Sequence, residues 1–143
     1  MAEVFKALKY PPQMILTSPA KRALQTAEPV ATLLETEVSL PFQQDARLYE
    51  QEAAGLLPVI HTLPDSFHSI LWVGHNPTFE WLASLLCWGK VEKPVIHLST
   101  ACLAHLEFAV EHWPEIQVGQ GILRGLIPAR VAKRLLQINK EEK

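Results

Sequence analysis

Two positions in this chain pair a chemically competent side chain with the signature of a strand running into a helix. The first is His75, which follows Ile70-Leu71-Trp72-Val73-Gly74 and precedes Asn76-Pro77-Thr78-Phe79. Four apolar residues in a row suit a strand buried on both faces, as in a parallel sheet. Gly74 lets the chain turn tightly or pass close to a ligand. Asn76 is expected at a helix N-cap, with Pro77 at the first helical position. The imidazole then stands at the carboxyl end of a strand beside free helix N–H groups, where open α/β sheets bind ligands and helix starts bind anions. The second position is Arg22, in Thr17-Ser18-Pro19-Ala20-Lys21-Arg22. Ser18 is the expected N-cap, Pro19 the first helical residue, and Arg22 leans back toward the helix start from about one turn in. A guanidinium offers a planar donor fork to phosphate oxygens, and an imidazole can donate to phosphate or carry a proton near neutral pH. Alone, Arg22 reads as a solvated surface charge. Paired with His75 at one sheet edge, it predicts a phosphate pocket, with Ser18 and Asn76 as further binding groups.

The elements that must hold these side chains alternate along the chain. Val4, Phe5 and Leu8 have helical spacing before the stop at Pro11-Pro12, and Met14-Ile15-Leu16 is a short strand. A helix follows with Ala23, Ala27, Val30 and Leu34 on one face and Pro29 as a kink. Val38 to Phe42 is expected as an edge strand, Asp45 to Glu50 as a loop, and Gln51 to Ile60 as a helix. The helix after His75 is apolar most of the way round and ends at Gly89. Strands within 101–110 and 116–127 make a terminal antiparallel hairpin, and residues 128–139 form a last helix. Alternating strand and helix closing on a hairpin predicts an α/β fold, a three-layer α/β/α sandwich with a mostly parallel sheet and an antiparallel edge hairpin.

Composition narrows the class. The chain has 143 residues, 48% hydrophobic and 20% charged, with a formal net charge of −2, which fits a single domain spanning 1–143. Near-neutral charge argues against a nucleic-acid partner. No apolar run approaches the roughly 20 residues of a membrane helix, and the N-terminus lacks a secretory apolar stretch. Only Cys87 and Cys102 are present, too few for a disulfide framework and suited to a reducing compartment, so a cytoplasmic protein is expected. No His-Glu-x-x-His run or closely spaced Cys pair suggests a metal, and no Gly-x-x-x-x-Gly-Lys loop suggests a nucleotide. The remaining histidines, His61, His68, His97, His105 and His112, are expected to be structural or superficial.

Ser18-Pro-Ala-Lys-Arg22-Ala-Leu-Gln-Thr26-Ala27, followed by Val73-Gly74-His75-Asn76-Pro77, resembles the histidine phosphatase superfamily, which includes the phosphoglycerate mutases. Arg47-Leu48-Tyr49-Glu50 and Leu98-Ser99-Thr100-Ala101-Cys102-Leu103-Ala104 are most similar to its small SixA-like phosphohistidine phosphatases. The resemblance implies a cofactor-free, metal-free phosphatase acting on a phosphorylated protein histidine or a small phosphoester through a covalent phosphohistidine. It gives Arg22 the role of clamping phosphoryl oxygens and His75 that of a second, non-nucleophilic histidine. Glu50 is either a general acid or a surface carboxylate.

One departure stands out. The family's nucleophile lies in an Arg-His-Gly motif at the end of a first strand, and no such tripeptide occurs here. The expectation is therefore an N-terminally truncated domain whose first strand and nucleophile are absent. A buried strand with four apolar side chains contributes on the order of 6–12 kcal/mol, comparable with a typical net stability of about 5–15 kcal/mol. An incomplete catalytic apparatus, or a non-catalytic phospholigand-binding or scaffold module, are the two functional readings.

Overall fold

The computed structural model describes residues 4–5, 11–35 and 39–141. The elements are β1 (Met14–Thr17), α1 (Lys21–Leu34), β2 (Phe42–Gln44), α2 (Arg47–Glu50), α3 (Ala53–His61), β3 (Ile70–Val73), α4 (Thr78–Trp88), β4 (Leu103–Glu107), β5 (Ile122–Ile127) and α5 (Ala129–Glu141). A 3₁₀ turn, Trp113–Glu115, lies between β4 and β5. Among the described residues no helix is long and apolar enough to cross a membrane.

β1 is the centre of a three-stranded parallel sheet of order β2-β1-β3. Its register with β3 runs from Met14 opposite Ile70 to Thr17 opposite Val73. All four β1 residues are buried, because the strand has a neighbour on each side and helices over both faces. Side chains alternate across a strand. Met14 and Leu16 accordingly join Leu56, Ile60, Leu82 and Leu86 from α3 and α4 on one face. Ile15 joins Ala27, Val30 and Ala31 of α1, with Phe5, on the other. Each large aliphatic side chain buried this way contributes about 1.5–3 kcal/mol. The result is the three-layer arrangement expected from the alternation of strands and helices.

Several boundaries differ from the sequence-based expectation. α1 starts at Lys21 and α4 at Thr78, one to two residues later than the Pro positions suggested. Neither Ser18 nor Asn76 caps a helix, because their side chains have tertiary or turn partners instead. The edge strand is Phe42–Gln44, after Pro41 rather than through it, which spares the ladder a missing donor. Val38 and the stretch 6–10 lie outside the described residues. The expected loop at Asp45 contains the helical turn α2, nucleated where the Asp45 carboxylate accepts the Arg47 N–H. Trp88 is 65% exposed at the end of α4. Gly89 ends α4 with φ of 85°, a conformation that favours glycine.

The largest difference concerns the hairpin. β4 and β5 pair antiparallel as expected, with Leu103 opposite Ile127. They form a separate two-stranded sheet rather than the edge of the parallel one.

Candidate functional site

The site begins with strand register. Thr17 stands opposite Val73, and the Ser18 N–H donates to Val73 O at 2.8 Å, extending the β1–β3 ladder by one bond. Ser18 and Gly74 therefore leave the sheet side by side. Gly74 permits this because the Phe79 ring occupies the space a side chain would take; a Cβ there would lie 2.2 Å from Phe79 Cε1. His75 follows, and its ring turns back so that Nε2 lies 2.7 Å from Ser18 Oγ.

Ser18 has no solvent exposure, and its Oγ also accepts the Ala20 N–H at 3.2 Å. With His75 neutral and protonated on Nδ1, the hydroxyl donates to Nε2; in the imidazolium, Nε2–H donates to the hydroxyl. Either way the ring is held in one orientation. The Tyr49 ring meets it edge-on, with centroids 5.3 Å apart and planes at 82°. Ser18 is thus buried behind His75 and holds its ring.

A cavity of about 700 Å³ opens in front of His75. Arg22 and Thr26 of α1 line it, as do Asn76 and residues 98–101. Arg22 is exposed, and among the described residues its guanidinium makes no ion pair or hydrogen bond. Asn76 spends its amide on Leu98 O, tying the 98–101 turn to the end of β3. A second tie comes from Ser84, fully buried in α4, whose Oγ accepts the N–H groups of Val95 and Ile96, each at 3.0 Å.

Arg22, His75 and Asn76 are thus brought to one cavity, with Ser18 beneath. Glu50 is not brought in: it is exposed at the end of α2 and does not line the cavity. Its neighbour Tyr49 touches His75 instead. Tyr49, Thr26 and Ser84 received no role from sequence reasoning. Tyr49 and Thr26 lay within the stretches that carried the resemblance, and that was the available signal.

Three of the remaining histidines have ring partners. His61 Nε2 lies 2.7 Å from Ile116 O, while His97 faces Glu80 at 3.5 Å and His112 faces Asp65 at 3.2 Å. His68 takes part through its backbone N–H, which donates to Gln13 Oε1. His105 lies on β4 in the cavity wall. Among the described residues no group of three or more His, Cys, Asp or Glu side chains is gathered as a metal site would need.

A guanidinium and an oriented imidazole at the carboxyl edge of a parallel sheet suit an anion with several oxygens, phosphate above all. Residues 1–56 match the family model described as histidine phosphatase superfamily (branch 1). That stretch includes Ser18, Arg22 and Tyr49 but not His75. Comparison with curated proteins finds no match.

Proposed function

We propose that the chain is a histidine phosphatase superfamily domain of the SixA-like branch. Its substrate in this reading is a phosphorylated protein histidine or a small phosphoester, met in the cytoplasm. The observation that carries the reading is the His75 ring, fixed on buried Ser18 at 2.7 Å, in one cavity with the exposed Arg22. The family match over residues 1–56 supports it, and the half-buried free thiols Cys87 and Cys102 fit a reducing compartment.

Arg22 binds phosphoryl oxygens in this scheme, and His75 donates to the charge that gathers on them during transfer. Such positioning and charge stabilisation supply most of the catalysis of phosphoryl transfer. The attacking nitrogen belongs to another histidine, carried in an Arg-His-Gly segment. It displaces the leaving group from phosphorus to give a phosphohistidine, which water hydrolyses to phosphate. These 143 residues contain no Arg-His-Gly, so they bind phosphate but turn it over negligibly.

The test compares the chain with a version preceded by an apolar strand ending in Arg-His-Gly, on a phosphohistidine peptide and on p-nitrophenyl phosphate. The expected result is turnover only with the extension, abolished by His75→Ala. Robust turnover by the 143 residues alone, lost in His75→Ala, would overturn the reading. A non-catalytic phospholigand module is the second reading, favoured by the absence of that nucleophile. Tungstate binding without hydrolysis, even with the extension present, would select it. In both readings Arg22→Ala weakens tungstate binding at least tenfold, and Arg22→Lys restores only part, since an ammonium lacks the planar fork.

A further inference from the structure

The chain between α4 and β4 is fastened on both sides of a turn. Before the turn, the Ser84 hydroxyl accepts the Val95 and Ile96 N–H groups, each at 3.0 Å, and Ile96 is buried. The Asn76 side-chain amide donates to Leu98 O. The Cys102 N–H then donates to Ser99 O at 3.1 Å, closing a turn with Thr100 and Ala101 at its centre. Asn76 follows His75 directly in the chain, so one side chain links the imidazole's neighbour to the start of the turn. Arg22, His75, Ser99, Thr100 and Ala101 all line the same cavity.

The backbone of this turn departs from the rest of the chain. Ala101, its third residue, has φ of 56°, and among the described residues it is the only non-glycine residue with positive φ. Turns with a left-handed third residue favour Gly or Asn there, because a Cβ makes the conformation costly. Such backbone persists only where its surroundings fix it, and it gathers at ligand clamps and active sites. What this backbone offers a ligand is donors. Among the described residues no protein acceptor takes the N–H of Ser99, Thr100 or Ala101, three in succession. Consecutive N–H groups around a turn make a concave anion site.

The surrounding side chains have the matching polarity. Around the turn and His75 the lining groups include Arg22, Thr26, Asn76 and Thr100, and no carboxylate. The carboxylates of the lining lie elsewhere. Asp65 precedes β3, at the end opposite His75, while Glu107 and Glu111 lie at or beyond the end of β4, whose start follows the turn. A tetrahedral oxyanion also asks for more donors than the two charged groups provide. A guanidinium fork takes two oxygens and an imidazole one. The Asn76 amide is already engaged with Leu98 O.

We propose that the backbone N–H groups of Ser99, Thr100 and Ala101 form a third wall of the phosphate pocket. They take the oxygen that Arg22 and His75 leave, and Asn76 acts as the residue that positions them. The inference rests on the phosphate reading of the His75 site and adds donors that belong to the backbone.

The experiment titrates tungstate into the chain and follows affinity together with the backbone amide resonances. Thr100→Pro removes one N–H and suits the second position of the turn, where proline is common. Thr100→Val removes the hydroxyl alone. Thr100→Pro is expected to weaken tungstate binding about fivefold or more, and Thr100→Val to leave it within about twofold. Tungstate should move the Ser99, Thr100 and Ala101 amide resonances in the parent chain, and not in Arg22→Ala at the same concentration. Asn76→Ala should weaken binding too, and its loss combined with Thr100→Pro should fall short of the product of the two, because Asn76 acts through the turn. Binding lost in Arg22→Ala but unchanged in Thr100→Pro overturns the backbone wall and leaves the phosphatase reading standing. Equal losses in Thr100→Val and Thr100→Pro assign the contact to the hydroxyl and overturn it as well. If proline opens the turn, seen as faster exchange of the Cys102 amide, the parent chain decides: Ser99 and Ala101 resonances that stay still at saturating tungstate overturn the proposal. A parent chain that binds no tungstate overturns both readings.

Discussion

His75 and Ser18 are 57 residues apart in sequence, yet His75 Nε2 lies 2.7 Å from the fully buried Ser18 hydroxyl. The parallel pairing of β1 with β3 makes this contact, since Ser18 leaves the sheet beside Gly74, one residue before His75. Ser18→Ala strips a partner from His75 and from the Ala20 N–H together. Leaving buried polar groups unpaired costs about 1–3 kcal/mol, read as a lower urea midpoint. Tungstate binding should weaken with it, because the ring loses its fixed orientation. Ser18→Thr, which keeps the hydroxyl, should recover most of the affinity. A Ser18→Ala protein with unchanged tungstate affinity would refute the positioning role.

Gly74 and Phe79 share one volume. A Cβ at Gly74 would lie within 3 Å of three Phe79 ring atoms, so the ring must move. Gly74→Ala is expected to cost about 1–3 kcal/mol through overpacking. Adding Phe79→Leu should return part of that loss. Thermal denaturation of the two single variants and the double variant checks the coupling, and strict additivity would argue against it.

Ser84 secures the far side of the cavity. Its hydroxyl is the acceptor for the Val95 and Ile96 N–H groups, both of which lose their partner in Ser84→Ala. The expected loss is about 1–3 kcal/mol. Amide exchange at Val95 and Ile96 should rise more than in the centre of β1. Uniform acceleration across the chain would show that the serine does not act locally.

The Asp45–Arg47 pair predicts a pH dependence. Chiefly through the Arg47 side-chain hydrogen bond, Asp45 is held below the usual carboxylate range. Its stabilising contribution is present above the ordinary carboxylate pKa and fades as pH falls through the lowered folded value. Arg47 is half exposed, so the pair is worth no more than about 1 kcal/mol. Asp45→Asn should lower stability modestly at pH 7 and converge with the parent protein in strong acid. Urea titrations at the two pH values make the comparison, and a gap that widens in acid would contradict it.

Some of this architecture follows from local sequence alone. Ile70–Val73 is a strand and Gly89 a helix end because apolar runs and glycine conformations act within a few residues. The same locality made Arg22 and His75 visible as candidate site residues: His75 stands between a strand and a helix, and Arg22 lies in the first turn of the helix that follows a strand. What the chain does with Ser18, Asn76 and Tyr49 was not legible, because a short polar side chain can cap its own helix or reach a distant partner. Tertiary packing chose the distant partner for Asn76 and His75 for Ser18. Sequence determined the elements and the two chemical groups; only the folded chain decided that the hairpin stands apart from the parallel sheet. Strand pairing joins edges remote in sequence, and whether two edges meet depends on what lies between them.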